Sequence, residues 1–253
     1  MSYTLNAACG CNMGKVRSNN EDNFFFDGKH LEEINEGLSE TLTMTAKIRK
    51  DTYLAVFDGM GGESYGETAS YVAAKKMSVL AGFKRKTLMS AEYHFSGMAA
   101  VLNEAVVDAA AEKQADYMGA TMVGLCFTKK KAAVCNLGDS RAYLLREGKL
   151  KQLSIDHVSS RGMKTGGKAP LTQNLGVDPD IMLVDPYTCS VKLQERDIFL
   201  LCSDGLTDMV GDDDICAVLK RNREPSACVE ELISLTLENG GIDNVTVIVC
   251  RAD

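Results

Sequence analysis

The stretch YLAVFDGMGGESYGETAS, residues 53–70, poses the first question about this chain. An apolar, β-forming run from Tyr53 to Phe57 stops at Asp58. Gly59, Gly61 and Gly62 follow, and the residues after them read as a helix. Strand, glycine loop and helix in this order cradle phosphate in nucleotide-binding proteins, where backbone N–H groups and often a lysine make the contacts. Here the loop opens with a carboxylate, so the question is what an aspartate does where a phosphate is expected.

The same placement recurs along the chain. AVCNLGDS sets Asp139 just after an apolar strand, FLLCSDG does so with Asp204, and GIDNVTVIV sets Asp243 just before one. NNEDNFFF places Glu21 and Asp22 at the start of another. Strands packed on a common core bring their ends to common edges, so these carboxylates can converge. Like charges in one cleft repel and raise one another's pKa, and a cation removes the conflict. Carboxylate and carbonyl oxygens, with no Cys or His cluster, suit hard ions such as Mg²⁺ or Mn²⁺. Any single Asp-Gly is the ordinary signature of a turn; it is the full set that carries the metal reading. Arg17, in GKVRSNNED, lies four residues before Glu21. It is either an ion-pair partner for the acidic cluster or a fork for a phosphate.

Short strands are expected over 4–13, 23–27 and 52–57, and a helix over 64–81. Met98, Val101, Leu102, Ala105, Val106 and Ala109 recur at helical spacing and mark a second helix. From 120 to 153 the period shortens: 120–128, 132–137, 141–146 and 149–153 read as strands, with turns at Lys129–Lys131 and Glu147-Gly148. Tight turns between consecutive strands imply antiparallel pairing. Residues 157–180 are rich in Gly and Pro and read as loop. A strand at 196–202, helices near 212–221 and 225–238, and a strand at 244–250 complete the chain, while 28–50 reads as a helix or an excursion. Strands in runs and helices in runs, with no linker, suggest one α+β domain.

The 253 residues carry a net charge of −7, which argues against a duplex-binding surface. Nucleic acid is therefore not an expected partner. The N-terminus lacks a signal-peptide pattern and no apolar run is long enough for a membrane span. Nine cysteines without regular spacing, beside three histidines, suggest free thiols in a reducing compartment. A cytoplasmic, soluble protein is expected.

Taken together, GKVRSNNED, YLAVFDGMGGESYGETAS, GATMVGLCF, NLGDSRAYLLREGKL, LTQNLGV, LLCSDGLTDMV and DNVTVIV resemble, in order, the PP2C family of metal-dependent (PPM-type) protein serine/threonine phosphatases, in its bacterial form. The resemblance implies a four-layer α-β-β-α sandwich, two antiparallel sheets flanked by helices, over a single domain 1–253 with a short flap at about 158–170. It implies two Mg²⁺ or Mn²⁺ ions in the core site. Asp58 would bridge them and the Gly59 carbonyl would join it; Glu21 would complete one ion, Asp204 and Asp243 the other. Asp139, with Asp204, would hold a third, weaker ion. Arg17 would grip the substrate phosphate, and Asp22 would orient waters behind the ligands. The chemistry implied is in-line attack on phosphorus by a hydroxide shared between the ions, releasing serine or threonine.

Two departures stand out. Met60 occupies the position two after the bridging aspartate, where many eukaryotic members carry a histidine proposed as general acid; His157 is the nearest candidate by motif context, and a water is the expected donor. The flap is shorter than in most bacterial relatives. An active phosphoprotein phosphatase is the leading reading, with a phosphoprotein substrate, a Ser/Thr kinase or its targets as partners, and a monomeric state. A pseudophosphatase that binds phosphoproteins as a regulator and a phosphatase of small metabolites are the rivals.

Overall fold

The structure, a computed structural model, describes residues 3–48, 50–60, 65–86, 88–159, 169–222 and 224–253. Strands buried on both faces read as continuous apolar runs rather than as alternating ones, and β4 (Thr52–Met60) is of this kind. Leu54 and Val56 enter the core between two sheets, whereas Tyr53, Ala55 and Phe57 enter the core beneath a helical layer. The sheet containing β4 runs β10 (Tyr187–Lys192), β7 (Lys131–Leu137), β6 (Met122–Phe127), β4, β2 (Asp22–Phe26), with β5 (Gly119–Ala120) paired to the end of β4. The other sheet runs β3 (Leu42–Lys47), β1 (Thr4–Asn12), β12 (Val245–Ala252), β11 (Asp197–Cys202), β8 (Arg141–Arg146), β9 (Lys149–Gln152). All the strand pairings are antiparallel.

Helices cover both outer faces. α1 (Gly66–Leu80) and α2 (Ala91–Lys113) lay Ala73, Met77, Phe95 and Leu102 against Phe57. α3 (Asp204–Thr207), α4 (Asp212–Arg221) and α5 (Pro225–Glu238) lay Leu206, Ile215, Val229 and Leu232 against Tyr143 and Val247. The four layers are those implied by the resemblance. Each fully buried Leu or Phe contributes about 1.5–3 kcal/mol, so the three interlayer cores dominate stability.

Local chemistry sets the element ends. Ser90 caps α2, its Oγ accepting from the Tyr93 N–H at 3.1 Å. Pro225 opens α5. Three aspartates sit in the first turn of α4 and Lys220 and Arg221 in its last, each favourable to the helix dipole. Glu147 and Gly148, with φ of 51° and 74°, make the tight turn between β8 and β9.

Among the described residues, 28–50 contain a strand, β3, and no helix. Its alternation, Leu42 and Met44 half-buried against exposed Thr43 and Thr45, is that of an edge strand with one covered face. β10, at the edge of the other sheet, escapes sequence patterning for the same reason. α2 starts at Ala91, seven residues before the first clearly periodic position.

Candidate active site

Antiparallel order brings the predicted carboxylates to one edge. Asp58, near the end of β4, pairs directly with Asp22 at the start of β2. β11 ends just before Ser203-Asp204, and β12 begins just after Asp243-Asn244, beside it. Asp139 lies in the turn from β7 to β8. A cleft of about 400 Å³ at this edge is lined by Arg17, Glu21, Asp58, Gly59, Asp139, Asp204 and Asp243, and also by Met60, Thr121 and Asn244. A larger depression, about 590 Å³, lies on the sheet that contains β8, β11 and β12, near Gly148, Arg196 and Lys220, and gathers no such set of carboxylates.

Side chains with no part in the carboxylate pattern hold the cleft together. Asn244, 5% exposed, accepts the Glu21 N–H on Oδ1 at 2.8 Å and donates from Nδ2 to the carbonyls of Met13 (2.8 Å) and Asn19 (2.9 Å). It therefore staples the loop bearing Arg17 and Glu21 to the strand start bearing Asp243. Thr121 Oγ1 accepts the Asp58 N–H at 3.1 Å and meets Ser140 Oγ at 2.7 Å, joining the end of β4 to the Asp139 turn. Their only sequence signal is a polar residue set at the mouth of an apolar strand.

Gly59 answers part of the opening question. It lies inside β4, where a Cβ would come within 2.1 Å of the Gly66 carbonyl and 2.7 Å of the Glu21 carbonyl. Glycine is required there for close approach and not for a turn. Gly61 and Gly62 lie outside the described residues.

Electrostatically the cleft is loaded against itself. Burial, then Asp204, Asp22, Asp139 and Asp243, push the Asp58 carboxyl well above the ordinary range. Burial, then Glu67, raises Glu21. Asp22 is buried behind the cleft, where its Oδ2 accepts from Ser203 Oγ and Thr246 Oγ1, each at 2.7 Å. Burial still pushes it up to about 7. Its Oδ1 is buried with no hydrogen-bond partner. Arg17, half-exposed, donates from Nη2 to Asp243 Oδ2 at 2.8 Å, so its ion-pair partner is Asp243 and not Glu21.

This donor set fits divalent cations. Repelling carboxylates, a buried orphan oxygen and hard oxygen donors are what such ions relieve. Among the described residues no three acidic, His or Cys side chains close tightly enough to hold one ion by themselves. Mg²⁺-type sites commonly take only one or two carboxylates per ion, with water and substrate filling the rest.

No histidine lines the cleft among the described residues. His157 instead accepts the Gly138 N–H on Nδ1 at 3.2 Å, and burial lowers its pKa. The flap begins beyond it: Val158 bridges Leu171 and the Ser159 N–H meets the Pro170 carbonyl at 2.9 Å, closing a narrow arm. Pro170 and Leu171 form one wall of the cleft; residues 160–168 of the predicted flap lie outside the described residues. All nine cysteines are free and none lines the cleft; burial pushes the Cys11 and Cys202 thiols up to about 12, away from the thiolate form a nucleophile needs.

The sequence profile described as Protein phosphatase 2C matches residues 8–162 and 167–245. The chain belongs to the protein phosphatase 2C family. Serine/threonine phosphatase stp of Listeria welshimeri is 32% identical over 253 residues, covering 93% of this chain and 91% of that protein. The catalytic domain of serine threonine protein phosphatase PstP, solved in complex with two manganese ions, superposes with a TM-score of 0.78 at 27% identity, covering 99% of each chain. PppA, described as a regulatory component of the type VI secretion system in Pseudomonas aeruginosa, gives 0.79 at 27% identity, with 98% of each chain covered. The cleft holds every carboxylate predicted as a metal ligand, with Asp22 behind it, and nothing favours a phosphoprotein-binding regulator without activity. Among the described residues no helix is long and apolar enough to cross a membrane.

Proposed function

We propose that the protein hydrolyses phosphoserine and phosphothreonine in proteins phosphorylated by a Ser/Thr kinase, using divalent cations held at this cleft within a single domain, 1–253. The observation that carries the reading is the convergence of Glu21, Asp58, Gly59, Asp139, Asp204 and Asp243 on one cleft beside Arg17. Bound there, Mg²⁺ or Mn²⁺ supplies positive charge that acidifies water and neutralises phosphoryl oxygens.

The chain's own groups do the rest. Asp58, between the other carboxylates, is the residue best placed to serve two ions, with the Gly59 carbonyl beside it. Glu21 would hold one ion and Asp204 and Asp243 the other, while Asp139 with Asp204 would hold a further, weaker ion. Arg17, now paired with Asp243, would orient the phosphoryl group through its guanidinium fork once Asp243 is engaged as a metal ligand. Asp22, fixed by Ser203 and Thr246, holds water behind the ligands. With Met60 at the cleft and His157 committed to Gly138, the leaving serine or threonine oxygen takes its proton from water.

The test is a metal-titrated assay on phosphoserine, phosphothreonine and phosphotyrosine peptides, with sugar phosphates in parallel. Activity on the first two is expected to vanish with EDTA and to fall roughly 10²–10³-fold in Asp58→Asn, the range seen when one electrostatic group at the reacting centre is removed. Activity that survives EDTA refutes the metal reading, and preference for sugar phosphates refutes the protein substrate.

A further inference from the structure

The apolar stripe of α2 is wider than the core beneath it needs. Of the periodic positions, Met98, Leu102 and Val106 are buried, whereas Val101, Ala105 and Ala109 stay half-exposed on the outer side of the α1–α2 hairpin. There Val101 is shared by two adjoining depressions, the halves of one groove along the hairpin, and Ala105 and Ala109 line the second. The first half, about 330 Å³, lies toward the α1–α2 connection and is walled by Leu80, Phe83, Met89, Tyr93 and Met98. Phe83 and Tyr93 are 63% and 70% exposed, so two aromatic rings stand in solvent at its rim. The second half, about 300 Å³, is walled by Glu104, Asp108 and Glu112 opposite a single Lys76.

The acidic row is locally unfavourable. Like charges at i and i+4 destabilise a helix by a few tenths of a kcal/mol per pair, and carboxylates toward a helix C-terminus oppose its dipole. Among the described residues no ion pair relieves any of the three. Exposed aromatics and a self-repelling charge row on one continuous face break local rules together, as interaction surfaces do.

We propose that this groove docks a helical segment of a partner protein, apolar or aromatic in one half and rich in lysine or arginine in the other. Charge complementarity selects the occupant: Glu104, Asp108 and Glu112 require a basic half, and the Phe83–Tyr93 end requires an apolar anchor. From Tyr93 to Glu112 the α2 face is about 28 Å long at 1.5 Å per residue, which matches a helix of about 20 residues. A second copy of this chain is a poor occupant, since the net charge is −7 and the acidic half would meet like charge. The basic half of the partner would lie toward the catalytic edge, because α1 begins at Gly66, against the Glu21 carboxylate, and Lys113 at the end of α2 lies over the Tyr65 ring.

The test uses the full chain and a fluorescent 20-residue peptide with leucine and phenylalanine on one face of its first half and lysine through its second. Binding by anisotropy is expected in the range of about 10–100 μM, weakening as salt rises. Phe83→Ser with Tyr93→Ser, and separately Glu104→Lys with Asp108→Lys, are each expected to weaken it at least tenfold. Both pairs should leave the circular dichroism spectrum and the turnover of para-nitrophenyl phosphate unchanged, which separates this surface from the catalytic reading. Absence of binding, equal binding of a sequence-scrambled peptide, or insensitivity to either pair of substitutions overturns the proposal. So does self-association in sedimentation that Phe83→Ser with Tyr93→Ser abolishes, because the occupant is then a second copy.

Discussion

Asn244 shows how much of the cleft depends on groups that take no part in the chemistry. Its three hydrogen bonds hold two chain segments more than 200 residues apart, and each is 2.9 Å or shorter. Truncation to alanine leaves two carbonyls and one N–H, all part-buried, without their side-chain partner, at up to about 1–3 kcal/mol each where water does not replace it. Asn244→Ala is therefore expected to keep its fold but to need roughly 10–100-fold more Mn²⁺ for half-maximal activity, the usual scale for groups that orient ligands. Calorimetric Mn²⁺ titration of the variant, independent of turnover, checks this directly, and an unchanged affinity would show Asn244 to be merely structural. Arg17 is a contrasting case: its bond to Asp243 is half in solvent and contributes little to stability, which leaves it free to exchange partners.

The arm at the base of the flap and the turn carrying Asp139 form one connected unit. His157 joins them, taking the Gly138 N–H on its side chain while its own N–H meets the Gly138 carbonyl at 3.0 Å and its carbonyl receives the Thr172 N–H at 2.8 Å. Gly138 has a φ of 95°, and a Cβ there would strike Thr121 at 2.7 Å, so the turn admits only glycine. Burial holds His157 neutral by lowering its pKa. A base with a lowered folded pKa contributes stability that is complete above its unfolded value, near 6.5, and is lost as pH falls through that value toward the folded one. Wild-type melting temperature is expected to drop between pH 7.5 and 5.5 by about 1–3 °C more than that of His157→Gln, whose amide oxygen can still accept the Gly138 N–H. Scanning fluorimetry at the two pH values provides the comparison, and equal drops would dissociate His157 from acid sensitivity.

The molecule as a whole is a stack whose inner layer sets the spacing of the two sheets. Phe127 and Phe199 meet edge-to-face between them, with centroids 5.3 Å apart and planes at 85°. Both are fully buried, in strands of opposite sheets. Since Asp58 belongs to one sheet and Asp204 and Asp243 flank strands of the other, that spacing also governs the width of the cleft. Phe199→Ala is expected to destabilise the protein by about 3–5 kcal/mol and to lower its melting temperature by roughly 6–20 °C. Chemical denaturation measures the first quantity, and a loss below about 1 kcal/mol would mean the core closes around the gap.

Much of this was written locally. β4, α4, α5 and the hairpins from 120 to 153 follow from short apolar runs broken by polar turns, from Pro225, and from Glu147-Gly148, because these are constraints within a few residues of backbone. The carboxylates were legible as well, since each interrupts an apolar strand at its end. The edge strands β3 and β10 were not, because half-buried strands carry only a weak alternation. Nor were Asn244, Thr121 and the pairing of Arg17 with Asp243, for these depend on which distant loops the sheets bring together. The role of Gly59 changed in the same way: in sequence it is one glycine of a loop, and in the fold it is the point where β4, α1 and the Glu21 loop come too close for a side chain. Chemistry resides in residue types that a chain displays openly, whereas distance between remote segments arises only when antiparallel strands and packed layers close on one another.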